Sequence, residues 1–315
     1  MRAGLSTLAV AIVAAAAATF FYLRPFEPLV HHWAFAVIAA AAGIALLVQA
    51  IAGVRAGDAG TRFAALAGLG GALLCATMVL AAFAAGPPHA LTGSPGQITP
   101  ARQDSSVAVR FPDLTPQQLR AGIAPDSVDV LDGSAVQALH VGDTVRVGQY
   151  VLNASHGPVA LVRATTPDGR PVTITQPQAA TFVSPYLFFP GLHGDQRFDF
   201  FAVPPLHRSV TVAYYPFYRD ETKGIVINTP FVLVQIAEEN GNELFRGATI
   251  SGRPIRKAGI VLTFTLGRYP VVMLSSAPAR FPYALGLLLV IAGILGYVVA
   301  LARAGMTERH TTAAK

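Results

Sequence analysis

Residues 33–54 read WAFAVIAAAAGIALLVQAIAGV and contain no charged side chain. An α-helix needs roughly 20 apolar residues to cross the hydrocarbon core of a bilayer. Lipid offers no partner for backbone amides and carbonyls, so such a segment is stable only as a helix that bonds its own backbone. The stretch therefore predicts a transmembrane helix.

Three further apolar blocks lie outward from this one, at residues 5–23, 63–86 and 281–302. Aromatic residues stand near the ends of the first and last blocks, as expected of helices whose ends meet the membrane surface. Hydrophobic residues make up 53% of the chain and charged residues only 13%, and the four blocks account for this imbalance. The pattern predicts an α-helical transmembrane bundle of four helices.

The first block also fits a second interpretation. Arg2 followed by an alanine-rich core is typical of a secretory signal peptide, which is removed from the mature protein. The aromatic run 20–22 and then Arg24 follow that core, where a cleavage site would need small residues. We therefore expect a helix that is retained.

Basic residues beside the blocks indicate the orientation, because Lys and Arg are enriched in cytoplasmic loops. With both termini in the cytoplasm, the flanking basic residues all lie on that side: Arg2, Arg55, Arg62, Arg303, Arg309 and Lys315. The predicted organisation is three helices in residues 1–86, an extracytoplasmic domain in 87–279, a fourth helix in 280–303 and a cytoplasmic tail in 304–315.

The stretch between the third and fourth blocks is rich in short alternating or β-branched runs, which are typical of strands. Pro167-Asp168-Gly169 and Asn240-Gly241 predict hairpin turns, and Thr115-Pro116 predicts the start of one short helix ending near Gly122. The runs are Val107–Phe111, Thr144–Asn153, Ala160–Thr165, Val172–Thr175, Arg197–Val203, Ser209–Tyr215, Phe231–Ala237, Gly259–Leu266 and Pro270–Leu274. They predict an extracytoplasmic all-β domain, either an antiparallel sandwich or an open barrel.

Several function classes are excluded by the composition. Cys75 is the only cysteine, which excludes an intramolecular disulfide and a thiol–disulfide enzyme. The net charge of +6 is scattered without a basic run, so we expect no nucleic-acid partner. The sequence has none of the catalytic signatures of hydrolases, nucleotide-binding enzymes or zinc proteases. The histidines of the middle stretch, at 89, 140, 156, 193 and 207, have no close metal-ligand spacing.

Two histidines stand where the second block begins. His31 and His32 precede Trp33 and Phe35 at the predicted outer face of the membrane. A polar side chain at this depth is costly unless it has a partner or a function. One interpretation is a pair of interfacial residues, with Trp33 as a headgroup anchor. The other is an axial ligand, because an imidazole nitrogen binds haem iron directly.

Small residues on the second and third blocks also allow two interpretations. Residues 39–43, together with Gly68, Gly70 and Gly71, would leave space for a flat macrocycle. The same residues would equally let two helices approach closely, which is the commoner use of such positions.

The segment Val30-His31-His32-Trp33-Ala34-Phe35 resembles the His-x-Trp-x-Phe segment of ResB-like (CcsB) proteins, which are membrane subunits of System II cytochrome c biogenesis. The plan of three helices, a large outer domain and one helix is also similar. Shorter similarities are Val145–Asn153 with Gly157 and the Pro-Asp-Gly turn, Asn228-Thr229-Pro230 before the Asn-Gly turn, and Ser276-Ala277-Pro278 leading to Tyr283 and Gly286.

The resemblance implies a subunit of a bacterial inner (plasma) membrane with a periplasmic domain. It would act beside a CcsA/ResC-type multi-span partner to deliver haem and attach it to apocytochrome c, with a thiol-reducing thioredoxin-like protein as a further partner. His31 would bind the iron of haem b as axial ligand, with His32 as the alternative and Trp33 and Phe35 beside it. No catalytic residue is predicted, so any ligase activity would be shared with the partner.

Two other functions remain open. The first is a non-haem adaptor, anchored in the membrane, whose β domain binds an extracytoplasmic protein. It is favoured by Thr61-Arg62-Phe63 at the third block, where ResB-like proteins often carry a histidine. The second is an accessory subunit of a transporter, which the absence of charges inside the blocks disfavours.

Overall fold

A computed structural model describes residues 2–56, 58–85, 87–103, 105–175, 186–188, 197–220 and 225–313. Gly86, His193 and Lys315, which enter the sequence predictions above, lie outside these ranges. The chain divides into two compact units. The helical unit comprises residues 1–89, 145–152 and 273–315, and the β unit comprises 90–144 and 153–272.

Four helices among the described residues are long and apolar enough to cross a membrane. They are α1 (Arg2–Leu23), α2 (Trp33–Ala56), α3 (Ala59–Ala85) and α5 (Arg280–Ala313), whereas α4 (Pro116–Arg120) is a short helix of the β unit. The predicted set of four apolar helices is confirmed, and the protein is membrane-associated.

All four long helices extend beyond the predicted apolar blocks, and α3 and α5 do so by the most residues. α3 begins at Ala59 because the carboxylate of Asp58 accepts a hydrogen bond from the Thr61 amide at 3.0 Å, which caps the helix. α5 continues to Ala313, into the segment predicted as a tail. No proline interrupts that segment, so the helix persists where the apolar run has ended.

α3 lies at the centre of the helical unit and packs against α1, α2 and α5. Glycines make these approaches possible. A Cβ at Gly70 would lie 2.6 Å from the carbonyl oxygen of Gly286, and a Cβ at Gly71 would lie 2.8 Å from the Leu46 side chain. A Cβ at Gly68 would lie 3.0 Å from the Thr7 side chain. These glycines serve close helix packing.

The strands are β1 (His89–Leu91), β2 (Ile98–Pro100), β3 (Val107–Arg110), β4 (Ser127–Asp132), β5 (Ala135–His140), β6 (Thr144–Val147), β7 (Tyr150–Thr165), β8 (Tyr186–Phe188), β9 (Arg197–Val203), β10 (Arg208–Tyr215), β11 (Tyr218–Asp220), β12 (Ile225–Ile227), β13 (Phe231–Glu238), β14 (Glu243–Ile250), β15 (Ile255–Lys257) and β16 (Ile260–Ser276). One sheet has the order β1-β16-β7-β6, with β15 paired to β16 and β8 paired to β7. Two more sheets have the orders β14-β13-β10-β9 and β2-β3-β4-β5, and β11 pairs with β12.

The β unit has a core that two of these sheets share. Val162 of β7 and Phe264 of β16 belong to the same buried cluster as Val210 of β10 and Val232 of β13. All four side chains are fully buried. A core shared between two antiparallel sheets is the arrangement of a β-sandwich, one of the two predicted architectures.

Most predicted strands and both hairpin turns are present. Gly169 and Gly241 adopt positive φ values of 85° and 89°, which explains why glycine stands in each turn. Residues 259–266 and 270–274, predicted as two strands, belong to the single strand β16. Residues 172–175 form only bridges, at Ile174 and Thr175, rather than a strand.

Candidate functional site

The segment between α1 and α2 determines where the two candidate histidines lie. α1 ends at Leu23, and a 3₁₀ turn at Pro28–His31 leads directly into α2. Proline occupies the first position of this turn, where a missing N–H costs nothing. Val30 in the turn is fully buried, which anchors the segment on the helical unit.

His31 faces inward from this turn and joins two distant parts of the helical unit. Its Nε2 lies 2.7 Å from the carbonyl oxygen of Pro25 and 3.1 Å from Oγ of Ser275 at the end of β16. The Ser275 hydroxyl also donates to the same Pro25 carbonyl. His31 and Ser275 are 244 residues apart in the chain. The site therefore exists only in the folded protein.

These contacts determine the tautomer of His31. A carbonyl oxygen can only accept, so Nε2 must carry the proton that is donated to Pro25. In the neutral ring Nδ1 is then the acceptor nitrogen, and it is buried without a hydrogen-bond partner among the residues that the structure describes. A histidine that bonds a backbone carbonyl through one ring nitrogen and leaves the other free has the second-shell arrangement typical of metal-ligating histidines.

Two stacked aromatic side chains lie on one side of the His31 ring. The ring of Phe21, fully buried at the end of α1, has its centroid 5.5 Å from that of His31. Phe35 of α2 stacks on Phe21, with a centroid distance of 6.5 Å and an interplanar angle of 6°. Phe35, which the sequence had placed beside the site, therefore meets His31 through Phe21.

His32 and Trp33 take a different position. His32 is exposed, and its Nδ1 accepts a hydrogen bond from the Ala34 amide at 3.2 Å, so it helps to cap α2. Its ring lies 5.8 Å from that of Trp33, whose surface is 69% exposed. The structure thus separates the two histidines, with His31 within the helical unit and the His32–Trp33 pair on its surface.

The small residues of α2 and α3 do not open a space next to His31. The three glycines of α3 are closely approached by α1, α2 and α5, as described above. A shallow groove of about 420 Å³ does lie between α2 and α3, lined by Ala39, Gly43 and Cys75 among others, but not by His31. Neither this groove nor the glycines of α3 provide room for a macrocycle at His31.

A second cluster in the helical unit contains Arg146 of β6. Its guanidinium lies 4.6 Å from the centre of the Tyr22 ring and donates through Nη2 to the Pro278 carbonyl. Tyr22 in turn stacks on Tyr283 of α5 at a centroid distance of 4.3 Å. This arrangement joins a cation–π contact with a charge-assisted hydrogen bond.

The Arg146 side chain is substantially desolvated. Burial lowers the pKa of its guanidinium from the ordinary value; Tyr22 opposes that shift, and the charge of Arg280 adds to it. The Nε atom is buried and has no hydrogen-bond partner among the described residues. Arg146 remains charged at neutral pH, because an arginine side chain is effectively always protonated in proteins.

Sequence reasoning missed both Ser275 and Arg146. The only signal for Ser275 was that Ser275 and Ser276 end an otherwise apolar strand. In the structure the Ser276 hydroxyl donates to the Ala81 carbonyl at 2.7 Å. Arg146 stood in an alternating strand pattern, where a charged residue normally faces water. Neither pattern indicates a contact with helices so distant in the sequence.

Two histidines of the β unit have local partners. His156 lies 2.9 Å from the Pro125 carbonyl through Nε2, and His207 lies 3.3 Å from the carboxylate of Glu239 through Nδ1. Among the described residues, no three His, Cys, Asp or Glu side chains come together in a way that would hold a metal ion. His31 therefore remains the candidate ligand.

Comparison with models of known protein families, with curated proteins and with solved structures finds no match to this chain.

Proposed function

We propose that this protein is a membrane subunit of a haem-handling complex of the ResB-like type, in which His31 is an axial ligand of haem b. The observation that carries the proposal is the state of the His31 ring. Its Nε2–H is held by the Pro25 carbonyl, while Nδ1, the acceptor nitrogen of the neutral ring, is buried and has no partner among the described residues. Either imidazole nitrogen can bind a metal, and a fixed tautomer prepares the free nitrogen for that role.

The site offers a nitrogen ligand for haem iron, but the described residues do not form the whole of a pocket for the macrocycle. His31 supplies the nitrogen, and Phe21 and Phe35 supply flat apolar surface beside it. In the part of the helical unit that the structure describes, the groove between α2 and α3 is not lined by His31, and the glycines of α3 are closely approached by neighbouring helices. The proposal therefore requires a CcsA/ResC-type partner that forms the other wall of the site, and a small movement of the turn at Pro28–His31.

Within such a complex, this chain would bind and orient rather than catalyse. The group it holds contributes vinyl carbons, to which the cysteine thiols of apocytochrome c add during attachment. His31 would fix the position of the iron, and Ser275 would keep the ring in its tautomer through the shared Pro25 carbonyl. A thioredoxin-like protein would keep the apocytochrome thiols reduced.

A second candidate is a non-haem adaptor of a membrane complex. The same contacts also support this candidate. His31 and Ser275 both contact the Pro25 carbonyl, so they join the α1–α2 loop to the end of β16. In that case His31 is a structural residue. The β unit would then bind an extracytoplasmic protein without haem.

A difference spectrum separates the two candidates. The full chain is purified from membranes together with its partner, and reduced-minus-oxidised spectra are recorded for wild type, His31→Ala and His32→Ala. We expect a Soret band in wild type and in His32→Ala, whose ring lies on the surface, and its loss in His31→Ala. A colourless wild-type complex, or a band that persists in His31→Ala, would refute the haem proposal.

We further propose a bacterial inner-membrane location with both termini in the cytoplasm and the β unit in the periplasm. The support is the distribution of basic residues beside the helices. Protease added outside spheroplasts should then cleave within residues 90–272 and leave a carboxyl-terminal epitope tag intact. Cleavage of the tag in intact spheroplasts would reverse the orientation.

A further inference from the structure

The β unit contains a cavity of about 410 Å³ that no haem-related role explains. It is lined by Leu161 and Arg163 of β7, Thr263 and Thr265 of β16, Ser251 and Gly252 of the turn after β14, and Arg120 of α4. Its volume falls within the range of small-molecule sites. All of these residues belong to the β unit.

The floor of the cavity is the outer face of two adjacent strands. Side chains alternate across a sheet, so the core residues Val162 and Phe264 point to one face and their neighbours to the other. Arg163 and Thr263 therefore lie on the face opposite the hydrophobic core. β7 and β16 are neighbours in the sheet, which brings the arginine and the threonines together.

The wall is the short helix α4, which is held firmly on this face. Thr115 and Gln118 form a capping box that fixes its start. The side chain of Leu119 is buried over Gly267 of β16, where a Cβ would come within 2.1 Å of it. The missing side chain at Gly267 thus makes room for Leu119, and this contact keeps Arg120 beside the cavity.

The cavity is cationic. No carboxylate lines it, and neither Arg120 nor Arg163 makes an ion pair with any residue that the structure describes, whereas Arg110, Arg208 and Arg246 each do. The sequence from 244 to 307 contains no Asp or Glu, so the turn and strand that form half of the cavity carry no compensating charge. The hydroxyl groups of Thr263 and Thr265 add neutral donors.

We propose that this cavity binds a phosphate group. Each guanidinium presents paired N–H donors that match the oxygens of an oxyanion, and the threonine hydroxyls can donate to further oxygens. A phosphate ester carries up to two charges and three terminal oxygens, which suits two cations and several donors. A carboxylate has one charge and two oxygens, and satisfies fewer of these groups.

The phosphate can belong to a free small molecule or to a lipid headgroup, since both present the same oxygens. The simplest competing interpretation is a pair of solvated arginines on the protein surface. Solvated arginines would bind phosphate no better than other exposed arginines of the same unit. That difference provides the test.

The experiment is isothermal titration of the full-length protein, in neutral detergent and at low ionic strength, with inorganic phosphate. It compares wild type, the double variant Arg120→Gln/Arg163→Gln and the matched double variant Arg170→Gln/Arg256→Gln. Arg170 and Arg256 are exposed arginines of the same unit that do not line the cavity, so both variants lose the same charge. A second titration uses short-chain phosphatidate, and a third uses acetate.

We expect saturable phosphate binding that weakens by about tenfold or more in Arg120→Gln/Arg163→Gln and by less than about twofold in the matched variant. Acetate should bind more weakly than phosphate. Tighter binding of phosphatidate with the same arginine dependence would identify a lipid headgroup, and weaker binding a free phosphate compound. Absence of saturable binding by wild type to either phosphate ligand, or equal loss in the two double variants, would overturn the proposal.

Discussion

Replacing Gly70 by alanine should separate the two helices at the centre of the helical unit. The new Cβ would lie 2.6 Å from the Gly286 carbonyl oxygen, 2.8 Å from Leu289 Cβ and 2.8 Å from the Val290 nitrogen. Two of these three atoms belong to the backbone and the third is a Cβ, so no side-chain rotation relieves the contact. Ordinary contact begins near 3.4 Å, so α3 and α5 would have to move apart by 0.6–0.8 Å, the difference between 3.4 and 2.8–2.6 Å.

A displacement of this size costs a large part of the packing energy between the two helices. A radial gap of about 0.5–1 Å loses a quarter to a half of the dispersion energy of each contact across it. Overpacking of this kind typically costs about 1–3 kcal/mol. Gly60→Ala is the matched control in the same helix, because the nearest atom to its new Cβ is the side-chain oxygen of Asp58 at 3.4 Å.

The only cysteine provides the assay. Cys75 is 2% exposed within α3, so a fluorogenic thiol reagent reacts with it only as the helices open. We expect Gly70→Ala to expose Cys75 several degrees below Gly60→Ala, which corresponds to about 1–3 kcal/mol less stability. If both variants react at the same temperature, α3 and α5 do not pack through Gly70 as described.

Two further predictions use the same thiol assay. Ser275→Ala removes one of the two donors to the Pro25 carbonyl, and we expect a loss of about 1 kcal/mol in stability; an unchanged unfolding temperature would mean that this hydrogen bond is not formed. Arg146→Lys keeps the charge but loses the planar group that lies over Tyr22, so we expect a lower unfolding temperature, with the exposed Arg170→Lys as control. Equal temperatures for those two lysine variants would contradict the proposed stacking.

The transmembrane helices were predictable because their cause is local. A run of about 20 apolar residues without charge is sufficient to specify a spanning helix, whatever the rest of the chain does. The hairpin turns were predictable for a similar reason, since Gly169 and Gly241 adopt backbone conformations that few other residues tolerate. The bounds of α3 were missed by a few residues, because the capping contact between Asp58 and Thr61 was not considered.

The roles of the small residues could not be assigned from the sequence. Gly70 is compatible with either a bound macrocycle or a neighbouring helix, and only the position of α5 distinguishes them. Gly267 lies between the two predicted runs 259–266 and 270–274. In the structure the strand is continuous there, and the glycine accommodates Leu119 from a helix more than a hundred residues earlier.

Sequence alone was sufficient for elements whose energetics depend on neighbouring residues: the apolar helices, most of the strands, the two glycine turns and the Thr115 cap. The tertiary structure was needed to distinguish His31 from His32, because the two are adjacent in the chain and differ only in what they meet. His31 contacts Ser275, which lies 244 residues later in the chain, whereas His32 is exposed to solvent and contacts its own helix. The physical reason is that a hydrogen bond requires two groups within about 3 Å, and no local pattern records which distant segment the fold brings there.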